Sequence, residues 1–536
     1  MINGLSLIGA GADSCEINTQ PFATTTSYRS VIVKDTCLFK GFKILVANNT
    51  NLGGGITGTA INSLITENRI TKAKYGISNG SNTVIFNNII DNISTGIDIF
   101  NSNAFVRNNT IYTDPNSNSA IIAGIYIGGF NNNYQPIIDS NYIESEKGRG
   151  IYQSVGARPI IKNNVIRFTQ YGAWAIFLSS SDSAYVFNNL ILIGTGYSGI
   201  GNYGVQYLQV VNNYITGNLS SIGMEITSYN LVKNNIVTKN NIGVDANGTQ
   251  NLVYQYNNLW DNNVNYSGIT PDTTNLSVDP MVVNDDTTQG ELDFHLQKFS
   301  PLINAGDPTI LDKDSTRSDI GLYGGPYGES YVYVDLPPLP PVNLTANVDS
   351  LIKLNWNKNK ETDFSFYNVY RDTAFNFVVD STKLIASVTD TFYYQSFPSN
   401  IETLYYKLTA VDNQGNESNP SEQVAVVLVS VKNELVPVNN YILYQNYPNP
   451  FNPSTKIGYK LKERGYVKLY VYDIKGELVS VLVNEVQEAG YYEVSFSVGQ
   501  ESIPVLSSGV YIYQIFVSND NRIPIFSDVK KMMYLK

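Results

Sequence analysis

The feature that most restricts the fold is an asparagine pair that keeps returning inside apolar, β-branched runs. It occurs in "VIFNNII" at 84–90, "AFVRNNTI" at 104–111, "PIIKNNVI" at 159–166 and "AYVFNNLI" at 184–191. It returns in "QVVNNYI" at 209–215, "LVKNNIV" at 231–237 and "VYQYNNLW" at 253–260. Asn is depleted in strand interiors because its amide competes with the backbone for hydrogen bonds. With "TENRI" and "DSNYI" as degenerate copies, the second position of each pair is Asn68, Asn88, Asn109, Asn141, Asn164, Asn189, Asn213, Asn235 and Asn258. The gaps are 20, 21, 32, 23, 25, 24, 22 and 23 residues. A small residue followed by an apolar one keeps the same period, as in Gly76-Ile77, Gly96-Ile97, Gly150-Ile151 and Ala175-Ile176. A fixed period in this range marks a repeat architecture.

Between these markers the apolar residues come in runs of three to five, β-branched and separated by Gly, Asn and Ser, which is strand chemistry. Neither a leucine framework nor a 3.6-residue period is present. Three short strands per repeat predict an all-β chain whose first part, 1–334, is a parallel β-helix. About eleven coils stacked at roughly 4.8 Å give a rod on the order of 50 Å long. Each Asn pair then sits at a turn, where Asn tolerates the left-handed conformation, and its amides stack from coil to coil as a ladder. The 32-residue gap holds about ten extra residues, read as a loop beside one coil. Over roughly 1–328 this pattern resembles the right-handed parallel β-helix superfamily of pectate lyases and related surface proteins.

A chain of 536 residues exceeds one ordinary domain. Its formal charge of −11 argues against nucleic acid and against docking on anionic lipid. No apolar run reaches the roughly 18 residues of a spanning helix, so no transmembrane segment is expected. Cys15 and Cys37 lie 22 residues apart, one period, which predicts neighbours in the first coils.

Residues 279–328 break the repeat and are expected to cap the exposed strand edges at the end of the rod. Asp312, Asp314 and Asp319 lie there with Arg317, an oxygen-rich turn that could hold Ca²⁺; no other cofactor is expected. The one histidine, His295, is read as a solvated surface residue. "LPPLPPVNL" at 336–344 is an extended linker. The segment 335–432 is similar to a fibronectin type III module, through Trp356, Tyr370, Tyr406, Ala410-Val411-Asp412 and the run Gly415 to Ser418. Its strand count suits a sandwich.

The last segment, 433–536, opens with "YILYQNYPNPFNPSTKIGYKL" and ends in "KKMMYLK". Its alternation predicts a small antiparallel sandwich, so two β-sandwich domains follow the β-helix. It resembles the type A C-terminal sorting domain of the type IX secretion system, through Pro448, Asn449, Pro450, Phe451, Gly509 and Lys536. The resemblance implies export by that machinery from a Bacteroidota-like host and a secreted or outer-membrane cell-surface location. It also implies an N-terminal export signal outside this chain.

Two positions after each small-residue marker, one outward column reads Ser78, Asp98, Tyr126, Tyr152, Phe177, Gly201, Glu225 and Asp245. Tyr126, Tyr152 and Phe177 suit stacking on sugar rings, which makes extracellular polysaccharide a candidate partner. Glu225 and Asp245, with Asp98, are the candidate catalytic carboxylates, because inverting glycoside hydrolases use two carboxyl groups roughly 6.5–9.5 Å apart. The polygalacturonase pattern Asn-Thr-Asp-Gly is not met: "ISTGIDI" has Thr95 before Gly96. Arg149 and Arg158 flank the Tyr152 strand without the clustered Asp set of pectate lyases. The sequence therefore favours a noncatalytic polysaccharide-binding or adhesin-like rod, with a polysaccharide lyase or glycoside hydrolase as the alternative.

Overall fold

The computed structural model describes residues 4–19, 28–46, 53–58, 62–79, 82–117, 119, 121–169, 173–194, 198–227, 230–246, 251–286, 290–349, 351–396, 403–427, 440–498 and 506–536. The chain divides into two compact units, 1–426 and 427–536.

Every regular element among the described residues is a strand. Three parallel sheets of eleven strands each form a right-handed β-helix among the described residues. The first sheet runs from Ser6–Ile8 to Val253–Gln255, the second from Glu16–Thr19 to Asn258–Trp260, and the third from Tyr28–Val33 to Val264–Ser267. One coil shows the unit: Phe105–Arg107, a turn, Thr110–Thr113, a longer connection, then Ala123–Gly128. Parallel pairing puts like residues on top of one another. Ile90, Ile111, Ile143 and Ile166 follow in register along the second sheet, and Ile97, Ile125, Ile151 and Ile176 along the third. All eight are fully buried. Burying one such side chain contributes roughly 1.5–3 kcal/mol, so the core grows by the same increment with each coil. The small-residue column exists because the coils close tightly there. A Cβ on Gly96 would sit 2.3 Å from the Gly124 carbonyl oxygen and 2.6 Å from Ile111.

The two residues of each Asn pair divide the work. The first adopts the left-handed conformation: Asn87, Asn108, Asn163, Asn188, Asn212 and Asn234 have φ between 50° and 57°. The second turns inward and forms the ladder. Amide-to-amide bonds of 2.9–3.0 Å run unbroken from Asn68 through Asn88, Asn109, Asn141, Asn164, Asn189 and Asn213 to Asn235. The last step departs from the expected one. Asn235 donates to Asn257, not Asn258, because the left-handed residue of that coil is Tyr256. Asn257 continues to Asn275, whereas Asn258 exchanges hydrogen bonds with Val278.

The two cysteines form no disulfide, and the 22-residue spacing does not stack them. The first coil runs longer than the 22-residue spacing, so Ser6 pairs with Leu38, 32 residues on. Cys37 therefore leads into the first sheet and Cys15 into the second, at different corners.

The closing segment also departs from a simple end cap. Residues 292–323 fold back along the outer face of the second sheet. There Phe294, Leu296, Leu302 and Ile320 bury Leu190, Tyr214 and Ile236 in a second apolar cluster outside the coil. The outward amides of the turns hold this strap. Asn188 donates to Leu322 and Gly324 oxygens at 2.7 Å, and Asn212 donates to Asp319 and Gly321 oxygens.

Residues 345–427 form two antiparallel sheets. One contains Thr345–Val348, Ile352–Asn355 and Phe392–Gln395. The other contains Leu384–Val388, Phe364–Asp372, Thr403–Asp412 and Val424–Val427. Trp356 lies edge-on to Tyr367 at 5.3 Å in the core between them. The second unit repeats this three-plus-four arrangement. Ile442–Leu443, Ser454–Leu461 and Gly490–Ser497 form one sheet, and Leu478–Gln487, Gly465–Tyr472, Gly509–Ser518 and Pro524–Tyr534 the other.

Candidate functional site

The register of the third sheet brings the outward column together. Ser78, Asp98, Tyr126, Tyr152, Phe177, Gly201, Glu225 and Asp245 are consecutive partners, one per coil. Tyr126 meets Tyr152 edge-on at 5.4 Å, and Tyr152 meets Phe177 at 5.9 Å. Their span is two inter-strand steps, about 10 Å.

Two residues outside the expected column complete this surface. Trp174 lies 4.3 Å from Phe177, and its indole crosses the next coil over Gly201. A Cβ on Gly201 would come within 2.4 Å of that indole, so glycine is what lets the ring lie flat there. Trp174 then donates from Nε1 to Glu225 at 3.1 Å, while Ser198 donates to the other carboxylate oxygen. Arg149 covers the Tyr152 ring at 4.3 Å and lies within 6 Å of Trp174 and Phe177. A cation over these rings is worth about 0.5–2 kcal/mol and orders them further. Trp174 precedes its marker by one residue, as Arg149 does, and that second outward position is the signal a single-column reading passes over.

The inserted residues widen the surface. Phe130, 82% exposed, packs edge-on against Phe100 at 4.9 Å, and the Phe130 amide donates to Asn101. Tyr126 closes the gap by donating to or accepting from Ser154 at 2.7 Å.

Asp98 lies apart from the other two carboxylates. Asp98 is five register steps from Glu225, about 24 Å, and the aromatic triplet separates them. Burial pushes the Asp98 carboxyl above the ordinary range, against a hydrogen bond from Ser78. Glu225 and Asp245 are register neighbours, about 4.8 Å apart in backbone. Glu225 is held by Trp174 and Ser198, so its geometry serves the aromatic surface.

The three aspartates of the closing segment do not converge. Asp312 receives the Asp319 and Gly325 amides, and Asp314 receives Thr316. Asp319 receives the Asn304 amide and the Tyr333 hydroxyl, each at 2.8 Å. Arg317 donates to the Gly306 and Ala305 carbonyls. These hydrogen bonds tie the turn into the strap, and among the described residues no group of three His, Cys, Asp or Glu side chains could hold a metal ion. His295 also differs from a solvated surface residue. It stacks on Tyr323 at 3.8 Å and is bonded through both ring nitrogens, to Asp293 at 2.6 Å and Glu329 at 2.8 Å.

In the second unit the "YPNPFNP" residues are tied to the final strand. Phe451 is buried against Phe496 and Tyr534. Its amide donates to the Met533 oxygen at 2.9 Å. Asn449 accepts from the Met533 amide at 2.8 Å, and the Pro448 oxygen accepts from Thr455 and Asn446. Gly509 opens the penultimate strand, and the Lys536 amide donates to Ser508.

No helix among the described residues is long and apolar enough to cross a membrane. The chain matches no family model and no curated protein. Among solved structures it is similar to an Fn3-like protein from Clostridium thermocellum, at 28% identity, covering 16% of this chain and 90% of that one, with a TM-score of 0.15. It is similar to the spore cortex lytic enzyme SleM of Clostridium perfringens at 18% identity, covering 20% of this chain and 32% of that one, with a TM-score of 0.15. It is also similar to the central fibronectin-III array of RIM-binding protein at 11% identity, covering 37% and 69%, with a TM-score of 0.14. All three are distant, and two of them carry fibronectin-III names.

Proposed function

We propose that this chain is a noncatalytic, secreted or cell-surface protein whose β-helix binds extracellular polysaccharide along the outer face of its third sheet. The observation that carries the reading is the continuous strip of Tyr126, Tyr152, Phe177 and Trp174, stiffened by Arg149 and Glu225. Flat apolar faces with a polar rim suit the C–H faces of sugar rings, with hydrogen bonds at their edges. Glycan-array binding by the full chain tests it. Tyr152→Ala and Trp174→Ala are expected to abolish the signal, and binding that survives both substitutions refutes the reading.

The register neighbours Glu225 and Asp245 support a second reading, a polysaccharide lyase or glycoside hydrolase. Turnover on a panel of polyuronates, lost in Glu225→Ala, would establish it in place of the first.

Export through the type IX secretion machinery, by means of 433–536, completes the proposal. What supports it is the resemblance of "YPNPFNP" and its attachment to the final strand. In a host with that machinery, removal of 433–536 should leave the protein inside the cell.

A further inference from the structure

The second unit has a sheet face that no described residue of that unit covers. Its four-stranded sheet turns one side to the core of the sandwich. An antiparallel sheet so placed ordinarily shows polar side chains on its other side. Here that side is largely apolar. Along Gly465–Tyr472 the outward residues are Tyr466, Lys468, Tyr470 and Tyr472, alternating with buried Val467, Leu469 and Val471. In register with them lie Leu478 and Val481 on one neighbouring strand, and Ile512 and Phe516 on the other. Tyr470 meets Tyr472 at 6.0 Å and Phe516 at 6.2 Å. The outer strands are aliphatic on this side: Leu478, Val481, Val486, Val529 and Met533 are 41–55% exposed. A contiguous exposed apolar patch of this kind marks an interaction surface.

The charges on this face have one sign. Its outward strand positions hold Lys468 and Lys531 and no carboxylate. Lys468 lies over the Tyr466 ring at 5.8 Å. The segment 433–536 as a whole is balanced, with ten Lys and Arg against ten Asp and Glu. The opposite face of the same sandwich is an ordinary solvated one, where Lys456 pairs with Glu493 at 2.7 Å. Area and charge together narrow the occupant. Four strands about 4.8 Å apart, with outward rows about 6.7 Å apart, give a face of roughly 500 Å², or about 1,000 Å² counted on both partners. That is the lower bound for a specific interface and suits a contact that is made and then released. Branched aliphatic side chains offer a sugar ring no flat partner, whereas they match the apolar centre of a protein interface. A second copy would bring lysines to lysines. A partner with carboxylates around an apolar patch answers them.

We infer, on the footing that 433–536 directs export, that this face docks a protein component of the export machinery through an apolar patch edged by carboxylates. Secretion of the full chain from a host with that machinery tests it. Lys468→Glu/Lys531→Glu is expected to cut the secreted fraction about tenfold, and Val481→Ser/Val529→Ser several-fold, with the urea transition of the second unit unmoved. Lys456→Glu/Lys460→Glu makes the same charge change on the opposite face and is expected to be secreted like the unaltered chain. Full secretion of both face variants overturns the inference, and so does an equal loss in the opposite-face pair. Retention on removal of 433–536, together with full secretion of both face variants, leaves export standing and removes only the docking face. Secretion that survives removal of 433–536 overturns both. Sedimentation showing dimers of the unaltered chain that Val481→Ser/Val529→Ser dissolves would give the face to a second copy and overturn the inference as well.

Discussion

Replacing Asn141 with alanine separates the two tasks of the Asn pair. The Asn141 amide nitrogen donates to the Val106 oxygen at 3.0 Å, the Asp139 oxygen at 3.1 Å and Asn164 Oδ1 at 3.0 Å. Its oxygen accepts both the backbone amide and the side-chain amide of Asn109, each at 3.0 Å. Alanine leaves the buried Asn109 backbone N–H without its partner and strips one bond from Val106. Each buried polar group so orphaned costs about 1–3 kcal/mol, so the loss should be about 3–5 kcal/mol. In a solenoid of about 330 residues that lowers the melting temperature of the β-helix by roughly 4–7 °C. The comparison is Asn108→Ala. Asn108 is exposed and has φ 53°, so its replacement costs only the left-handed preference, about 1–2 kcal/mol. Asn108→Gly should be close to neutral. Scanning calorimetry reads the melting temperatures. Hydrogen exchange, expected to rise first in the coils next to 141, reads the locality. If Asn108→Ala costs as much as Asn141→Ala, the turn conformation rather than the ladder holds the coils, and the reasoning fails.

Gly201→Ala should drive the Trp174 indole off the surface, break its bond to Glu225 and weaken glycan binding several-fold while the coil melts nearly as before; array binding and calorimetry together check this. Asp319 is raised to about 6 by burial, so its charge opposes folding. That cost is absent below pH 4, complete above pH 6 and worth up to about 3 kcal/mol. The strap should therefore gain stability from this group as pH falls from 7 to 4, and Asp319→Asn, which still accepts from the Asn304 amide, should flatten that slope in melts across pH. Phe451→Ala should cost the second unit about 3–5 kcal/mol through the cavity left beside Phe496 and Tyr534, read by urea unfolding of that unit's transition.

Much of the β-helix was legible because a solenoid is nearly one-dimensional. The period of the Asn pairs set the coil length, and period-2 alternation within a strand set which residues face outward. The column from Ser78 to Asp245 could therefore be read from spacing and is the column that pairs in register. The reading lapsed where the period itself shifted. A 32-residue first coil separates Cys15 from Cys37, and a one-residue slip moves the ladder from Asn258 to Asn257.

What the sequence determined by itself was whatever repeats: strand chemistry, coil length, the small residues at the tight corner and the polar ladder beneath the turns. Each follows from a local demand that every coil makes again. Only the tertiary structure decided the contacts that cross coils without a period. Trp174 reaches Glu225, two strands away, over the intervening Gly201, and residues 292–323 return to bury Leu190 and Tyr214. Such contacts depend on side-chain size and chain path across long separations, which no local spacing records.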